Sequence, residues 1–273
     1  MLAAGASLML GAAAPRPPRV VSLNPCLDAV LVHVADRGQI AALSHYARDP
    51  EASGIVDIAR TLPFTYESAE EVVALRPDLV LSSQHSSPAT REALRQLGVA
   101  TALFKVPNSV AESLQQVRRI AGLTGHVDRG ERLVAQIESA LAHAAPPPGM
   151  APLTVLVFQP NGFAAGHGTL VDEMLRRTGF INVAERYGLK RWGNVALEQL
   201  LDAPPQVLLS GRSATGAATW AEHVVSHPAL RSLGDRMVQA AFPERLLYCG
   251  GPTLIETAAA LTAARRDVLE RLA

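Results

Sequence analysis

The chain is 273 residues long and 48% hydrophobic, and its 25 Lys and Arg balance 25 Asp and Glu, so its formal net charge is zero. That length suits one large domain or two lobes, each able to build a core. The charge balance argues against nucleic acid or an anionic membrane as partner, since either draws on a basic excess. Aromatics are only 4% of residues, so each one in a loop is informative.

Met1–Ala14 is small and apolar and closes with Ala12-Ala-Ala14 before Pro15. It reads as a signal peptide whose positive n-region is missing, since no Lys or Arg precedes Arg16; the competing reading is an Ala-rich tail. It is too short to span a bilayer, which takes about 20 apolar residues. The two cysteines, Cys26 and Cys249, make no disulfide framework, and their spacing leaves open whether they pair.

Taken in order, Arg19–Asn24 reads as a first strand stopped by Pro25, Cys26–Ala35 as a helix, and Ile40–Ser44 as a strand running into a polar loop, His45–Gly54. Ser68 with Glu71 three residues on has the capping-box pattern for a helix to Leu75. Leu79–Ser82 is then a buried strand, Pro88–Leu97 a helix, and Ala100–Phe104 a strand. Ser109–Ala145 reads as two amphipathic helices split by Gly122-Leu-Thr-Gly125. One buries Val110, Leu114, Val117 and Ala121, the other Leu133, Ile137, Leu141 and Ala144. Pro146-Pro-Pro-Gly149 ends the pair.

The grammar then restarts. Leu153–Phe158 reads as a strand, Gln159–Gly168 as a Gly-rich loop, Leu170–Thr178 and Val195–Asp202 as helices, and Gln206–Ser210 as a strand. Trp220–Val225 and Pro228–Leu233 read as short helices, Arg245–Cys249 as the last strand, and Thr253–Leu272 as a long closing helix. Strands alternating with helices predict an α/β fold with parallel sheets. Two passages repeat: Glu70-Glu-Val-Val-Ala-Leu-Arg-Pro-Asp-Leu-Val-Leu-Ser82 and Glu198-Gln-Leu-Leu-Asp-Ala-Pro-Pro-Gln-Val-Leu-Leu-Ser210. The repeat implies two Rossmann-like lobes, joined by the long helical connector, with a ligand cleft where their strand ends meet. The expected boundaries are a signal segment at 1–14, an N-terminal lobe at 19–108, a connector at 109–148 and a C-terminal lobe at 149–273.

From Arg19 onward the chain resembles the periplasmic substrate-binding proteins of ABC importers for iron-siderophores, haem and cobalamin, the class with a helical connector. The resemblance rests on Arg19-Val-Val-Ser-Leu-Asn-Pro25, the Glu70–Ser82 run, the central helices and the Glu198 counterpart. It implies a monomeric periplasmic protein that carries an iron-siderophore or corrinoid chelate to a permease/ATPase complex. No catalytic residue, cofactor or resident metal is expected. It also implies that Glu70 and Glu198 dock into arginine pockets of the permease. A carboxylate in a first helical turn is well placed for that, by the helix dipole and by bidentate pairing with Arg, although plain capping explains a single such Glu equally well.

The same resemblance points to ligand contacts at Tyr46, Phe163 and Trp192, where flat rigid faces suit a macrocycle or aromatic chelate. Arg212 adds a cation for a carboxylate or catecholate, and His85 adds a possible metal contact. Each of these is otherwise a half-buried loop residue, and that plainer reading is favoured for Phe64, Tyr66, His167 and Trp220. Cobalamin-binding members carry polar and charged groups after the last strand, where Cys249-Gly-Gly-Pro-Thr253 stands here; this leaves corrinoid and ferric chelate undecided. Two other classes compete. A free-metal binder would use His45, His85 and His167, which share no ligand spacing. A hydrolase or nucleotide enzyme lacks both G-x-S-x-G and a phosphate-binding glycine motif.

Overall fold

The computed structural model describes residues 17–159, 162–211 and 227–272. The expected signal segment, Arg212 and the Trp220–Val225 helix lie outside the described residues. The first strand, β1 (Val20–Ser22), is buried throughout, as befits the middle of a sheet. Asn24 then caps α1 (Pro25–Val34): its side-chain oxygen accepts from the Cys26 and Leu27 amides, and Pro25 occupies the first turn, where no amide is needed. There follow β2 (Ile40–Ser44), α2 (Val56–Ala59), β3 (Phe64–Thr65), α3 (Ala69–Ala74), β4 (Leu79–Ser83), α4 (Pro88–Gln96) and β5 (Thr101–Phe104). The strands pair in the order β3-β2-β1-β4-β5, all parallel.

After the connector come β6 (Leu153–Val157), β7 (Phe163–Ala165), α7 (Leu170–Arg177), β8 (Phe180–Asn182), β9 (Trp192–Asn194), α8 (Leu197–Asp202) and β10 (Val207–Ser210). Then follow α9 (Pro228–Arg231), β11 (Val238–Ala241), α10 (Arg245–Tyr248) and α11 (Thr253–Leu272). The second sheet is also parallel and runs β11-β10-β6-β8. Matching β1 with β6 and β4 with β10, its order repeats the β2-β1-β4-β5 part of the first sheet. The sequence repeat is therefore a repeat of topology, with β7 and β9 added as an antiparallel pair.

Several local expectations need correction. Arg245–Cys249 is not the last strand; its first four residues are the one-turn helix α10, and the last strand is β11. A four-residue apolar run, Leu246–Cys249, has no period by which strand and helix turn differ. The Gly-rich loop contains β7, and the helix expected from Val195 begins at Leu197, behind β9. The capping box forms only in part. Ser68 Oγ accepts from the Glu71 amide, but the Glu71 carboxylate turns to the Thr65 hydroxyl and the Tyr66 amide.

The connector is α5 (Val110–Thr124) and α6 (Val127–Ala144), which bury the apolar faces read from the sequence. Gly130 allows their close crossing, since a Cβ there would lie 2.5 Å from that of Ala121. One buried cluster runs from Val20 of the first sheet through Val117, Ile137 and Leu261 to Val155 of the second, so the lobes share a core. Cys26 and Cys249 form a disulfide between the start of α1 and the turn before α11. Beside it, the Gly251 amide donates to Ser113 Oγ at 2.7 Å, and at its φ of +61° a Cβ would stand 2.6 Å from Val30 Cγ2. Cys249-Gly-Gly251 is thus the seam between lobes.

Candidate functional site: the interlobe cleft

In parallel sheets the loops that meet ligands leave the carboxyl ends of the strands. On the first lobe those ends present Asn24 after β1, His45 and Tyr46 after β2, Tyr66 and Glu67 after β3, His85 after β4 and Lys105 after β5. Tyr46 and Tyr66 are exposed to 45% and 67%, unusual for tyrosines that also pack on a neighbouring ring. His45 lies between them, its ring centroid 3.9 Å from that of Tyr46 and 5.2 Å from that of Tyr66, and Phe64 meets Tyr66 edge-on. Arg48 stacks over Phe64 at 3.9 Å.

On the second lobe the β7–β9 pair brings Phe163 and Trp192 together. In the register, Phe163 faces Asn194 and Trp192 faces Ala165, so the two rings are diagonal neighbours on one face. They stack nearly parallel, 5.3 Å apart at 5°. Tyr248, from α10, lies 6.2 Å from Trp192 and extends the aromatic surface. Tyr248 and Cys249 share a depression with Glu51 and Ala52, so the loop beyond Tyr46 abuts this part of the second lobe.

Tyr248 also borders a cavity of about 360 Å³ between the lobes, with His85, Lys105, Gln116, Asn24 and Gly250 in its wall. It is largely apolar, and Lys105 and His85 are its charged or titratable groups. Asn24, besides capping α1, donates to Ser83 Oγ at 3.3 Å and so joins the ends of β1 and β4. Of the residues singled out from sequence, Phe163 and Trp192 thus meet each other, Tyr46 sits on the opposite lobe's edge, His85 lines the cavity, and Arg212 is outside the described residues. Tyr66, read as ordinary packing, is more exposed than Tyr46. Tyr248 was missed because its segment was taken for a strand.

Beneath the tyrosines lie two carboxyls that sequence reasoning did not single out. Asp28 on α1 is fully buried; burial pushes its pKa up to about 8 against the lowering hydrogen bonds of Ser22 and Ser44. Burial likewise pushes Glu67 up to about 7. Glu67 has a φ of +71°, a rare conformation for any side chain but glycine. The three histidines of the free-metal reading do not gather. His167 is engaged by Glu185 (3.1 Å) and the Asn182 carbonyl (3.1 Å), and among the described residues no three His, Cys, Asp or Glu groups converge as a metal site.

Glu70 and Glu198 are both exposed and both lie in the first turn of their short helices, α3 and α8. Each helix leads into a strand next to its lobe's first, β4 beside β1 and β10 beside β6. They are equivalent in topology as well as in sequence.

Residues 20–234 match the family model described as periplasmic binding protein. The chain belongs to that family. A curated relative, a cobalamin-binding protein of Halobacterium salinarum, is 26% identical over 203 residues, covering 72% of this chain and 55% of its own. The chain therefore spans about half the length of the curated relatives it matches. Among solved structures, the apo periplasmic haem-binding protein RhuT from Roseiflexus sp. RS-1 superposes with a TM-score of 0.71 at 26% identity, covering 92% of this chain and 99% of that one. The vitamin B12-binding protein BtuF of Vibrio cholerae shares the fold, with a TM-score of 0.67 at 16% identity over 93% of this chain and 99% of that one. These homologues are binding proteins, and no helix of the described residues is long and apolar enough to cross a membrane.

Proposed function

We propose that the chain is the exported, monomeric solute receptor of an ABC importer, and that its cargo is a flat metal chelate, corrinoid or haem in preference to a hexadentate siderophore. The observation that carries this is the pair of aromatic edges flanking the cleft: Tyr46 and Tyr66 on one lobe, the stacked Phe163 and Trp192 with Tyr248 on the other. Rigid rings on both sides suit a planar body at low cost in side-chain entropy.

The sequence feature that weighed against a corrinoid rested on a misplaced strand. With β11 ending at Ala241, the segment after the last strand is Phe242-Pro-Glu-Arg245, which carries polar and charged groups. Glu244 and Arg245 stand at the cleft's border, Arg245 paired with Glu256. The name of the Halobacterium relative points the same way. Glu70 and Glu198 are the docking residues of this proposal, one per lobe.

The test is a thermal-shift screen of the mature protein against cyanocobalamin, cobinamide, haem and several ferric siderophores. A ligand at about 100 times its Kd adds about 2.7 kcal/mol, on the order of 5–10 °C for lobes of this size. A shift with a macrocycle alone supports the proposal. A shift only with siderophores, or only with free Zn²⁺ or Mn²⁺, overturns it.

A further inference from the structure

Three buried polar atoms under the Tyr46–Tyr66 rim have no hydrogen-bond partner: Asp28 Oδ1, His45 Nδ1 and Glu67 Oε1. They come from α1, the turn after β2 and the loop after β3. His45 Nδ1 is 3.9 Å from Glu67 Oε1, and the charge of Glu67 acts on Asp28. The other Asp28 oxygen is occupied by the Ser44 amide (3.2 Å) and hydroxyl (2.5 Å), and the Ser22 hydroxyl also acts on this carboxyl. Glu67 is held in place by its backbone, whose amide donates to Thr65 Oγ1 and whose carbonyl accepts from Thr90 Oγ1. Left-handed backbone in a non-glycine residue persists only where its surroundings enforce it, and such residues gather at functional sites. Two carboxyls and an imidazole in one desolvated spot are costly unless their charge states are used.

The other charged groups on the surrounding elements are committed elsewhere or lie apart from Glu67. Arg48 stacks on Phe64 and donates to the Leu62 carbonyl. Glu71 takes the Thr65 hydroxyl and Tyr66 amide, Asp49 takes the Glu51 amide, and Asp57 and Arg60 of α2 face each other at 3.8 Å. Arg91 of α4 has a buried Nε with no hydrogen-bond partner, and burial is the one cause of the Glu67 shift. Among the described residues, no ion pair joins Glu67 to an arginine or lysine.

We infer that Asp28 and Glu67, set beside His45, make the cleft select cargo by charge in a pH-dependent manner, anionic chelates gaining affinity over neutral ones as protons are taken up. Above pH 7 an ionised Glu67 places negative charge directly below the rings that meet the cargo. On acidification from pH 8.5 both Asp28 and Glu67 become neutral, so the negative field beneath the rim is lost. Because the rim is shared with the cargo site, this inference rests on the macrocycle reading above.

The experiment measures affinities of ferric protoporphyrin IX, which carries two carboxylates, and cyanocobalamin, neutral overall, from about pH 5.5 to 8.5. Each is titrated into the intact protein, Glu67→Gln and His45→Gln, with circular dichroism at every pH to show that the fold is retained. One unit of charge at a desolvated site changes affinity by about tenfold or more. The affinity ratio of porphyrin to cobalamin should therefore rise about tenfold from pH 8 to pH 6 in the intact protein and rise less in Glu67→Gln, where Asp28 alone loses charge. His45→Gln, which leaves both carboxyls in place, should keep the rise. If only one probe binds, it is compared with its own derivative, the porphyrin dimethyl ester or a corrinoid monocarboxylate. An equal rise in the intact protein and Glu67→Gln overturns the inference and leaves the macrocycle reading standing. Failure of every macrocycle to bind at any pH overturns both.

Discussion

The Cys26–Cys249 bond closes a loop across a sequence separation of 223 residues, nearly the whole folded chain, and its removal has a calculable cost. In the chain-entropy account, a loop of that size removes about 18 cal/mol/K from the unfolded ensemble, or about 5 kcal/mol at 25 °C. Residual structure in unfolded chains lowers the real value, so a loss of about 3–5 kcal/mol is expected. At roughly 2–4 °C per kcal/mol for a chain of this size, the midpoint should fall by about 6–20 °C. The assay is urea unfolding of the oxidised protein beside Cys26→Ala/Cys249→Ala, followed by circular dichroism and tryptophan fluorescence. A single transition is expected in both, because one buried cluster continues through both lobes. The slope should steepen in the double variant, whose unfolded state is freed to expand. Transitions that coincide within about 0.5 kcal/mol, well below the usual value of a native disulfide, would refute the reasoning.

Glu70→Ala combined with Glu198→Ala should leave cargo affinity intact and abolish uptake, measured by growth on the cargo as sole source; normal uptake would sink the docking assignment. Asp28 bears on stability against pH. Burial raises its folded pKa to about 8 from the ordinary 3.8, so its contribution is fully present below about pH 4 and is lost as pH rises toward 8. Asp28→Asn should flatten that decline and raise stability at pH 8 by more than about 1 kcal/mol, since one pK unit is worth about 1.4 kcal/mol. Denaturant midpoints at pH 5 and pH 8 decide it, and a decline as steep in the variant as in the parent would contradict the burial argument.

The parts of the fold carried by long periodic segments were legible. The α5 and α6 faces, the closing helix and the two Glu-to-Ser passages all read correctly because burial on one helical face, or a proline turn into a buried strand, leaves a pattern of ten residues or more. The short elements left none: β3 has two residues, β7, β8 and β9 three each, and α10 four. The cleft was legible only where its chemistry is uncommon. Trp192 and Phe163 stood out by scarcity, but their stacking depends on the antiparallel register of β7 and β9. Asp28 and Glu67 look like ordinary surface acids in the sequence, since neither the burial of one nor the φ of the other has a local signature. Cys26 and Cys249 could not be paired by spacing, because only the return of the chain across both lobes places them side by side.

The seam constrains how the two lobes can move. The disulfide, the Gly251–Ser113 contact and the α6–α11 packing all tie the second lobe to α1 and the connector. Large rotation of the lobes would break a shared apolar core, whereas small tilts and loop movements would not. On the proposed reading, the aromatic edges are therefore held at nearly fixed spacing, and little ordering remains to oppose binding when cargo arrives, which is how preorganisation raises affinity. The same stiffness makes release the harder step. Glu70 and Glu198 stand on separate lobes, so an importer that grips both can apply across the seam the separation that the free protein resists.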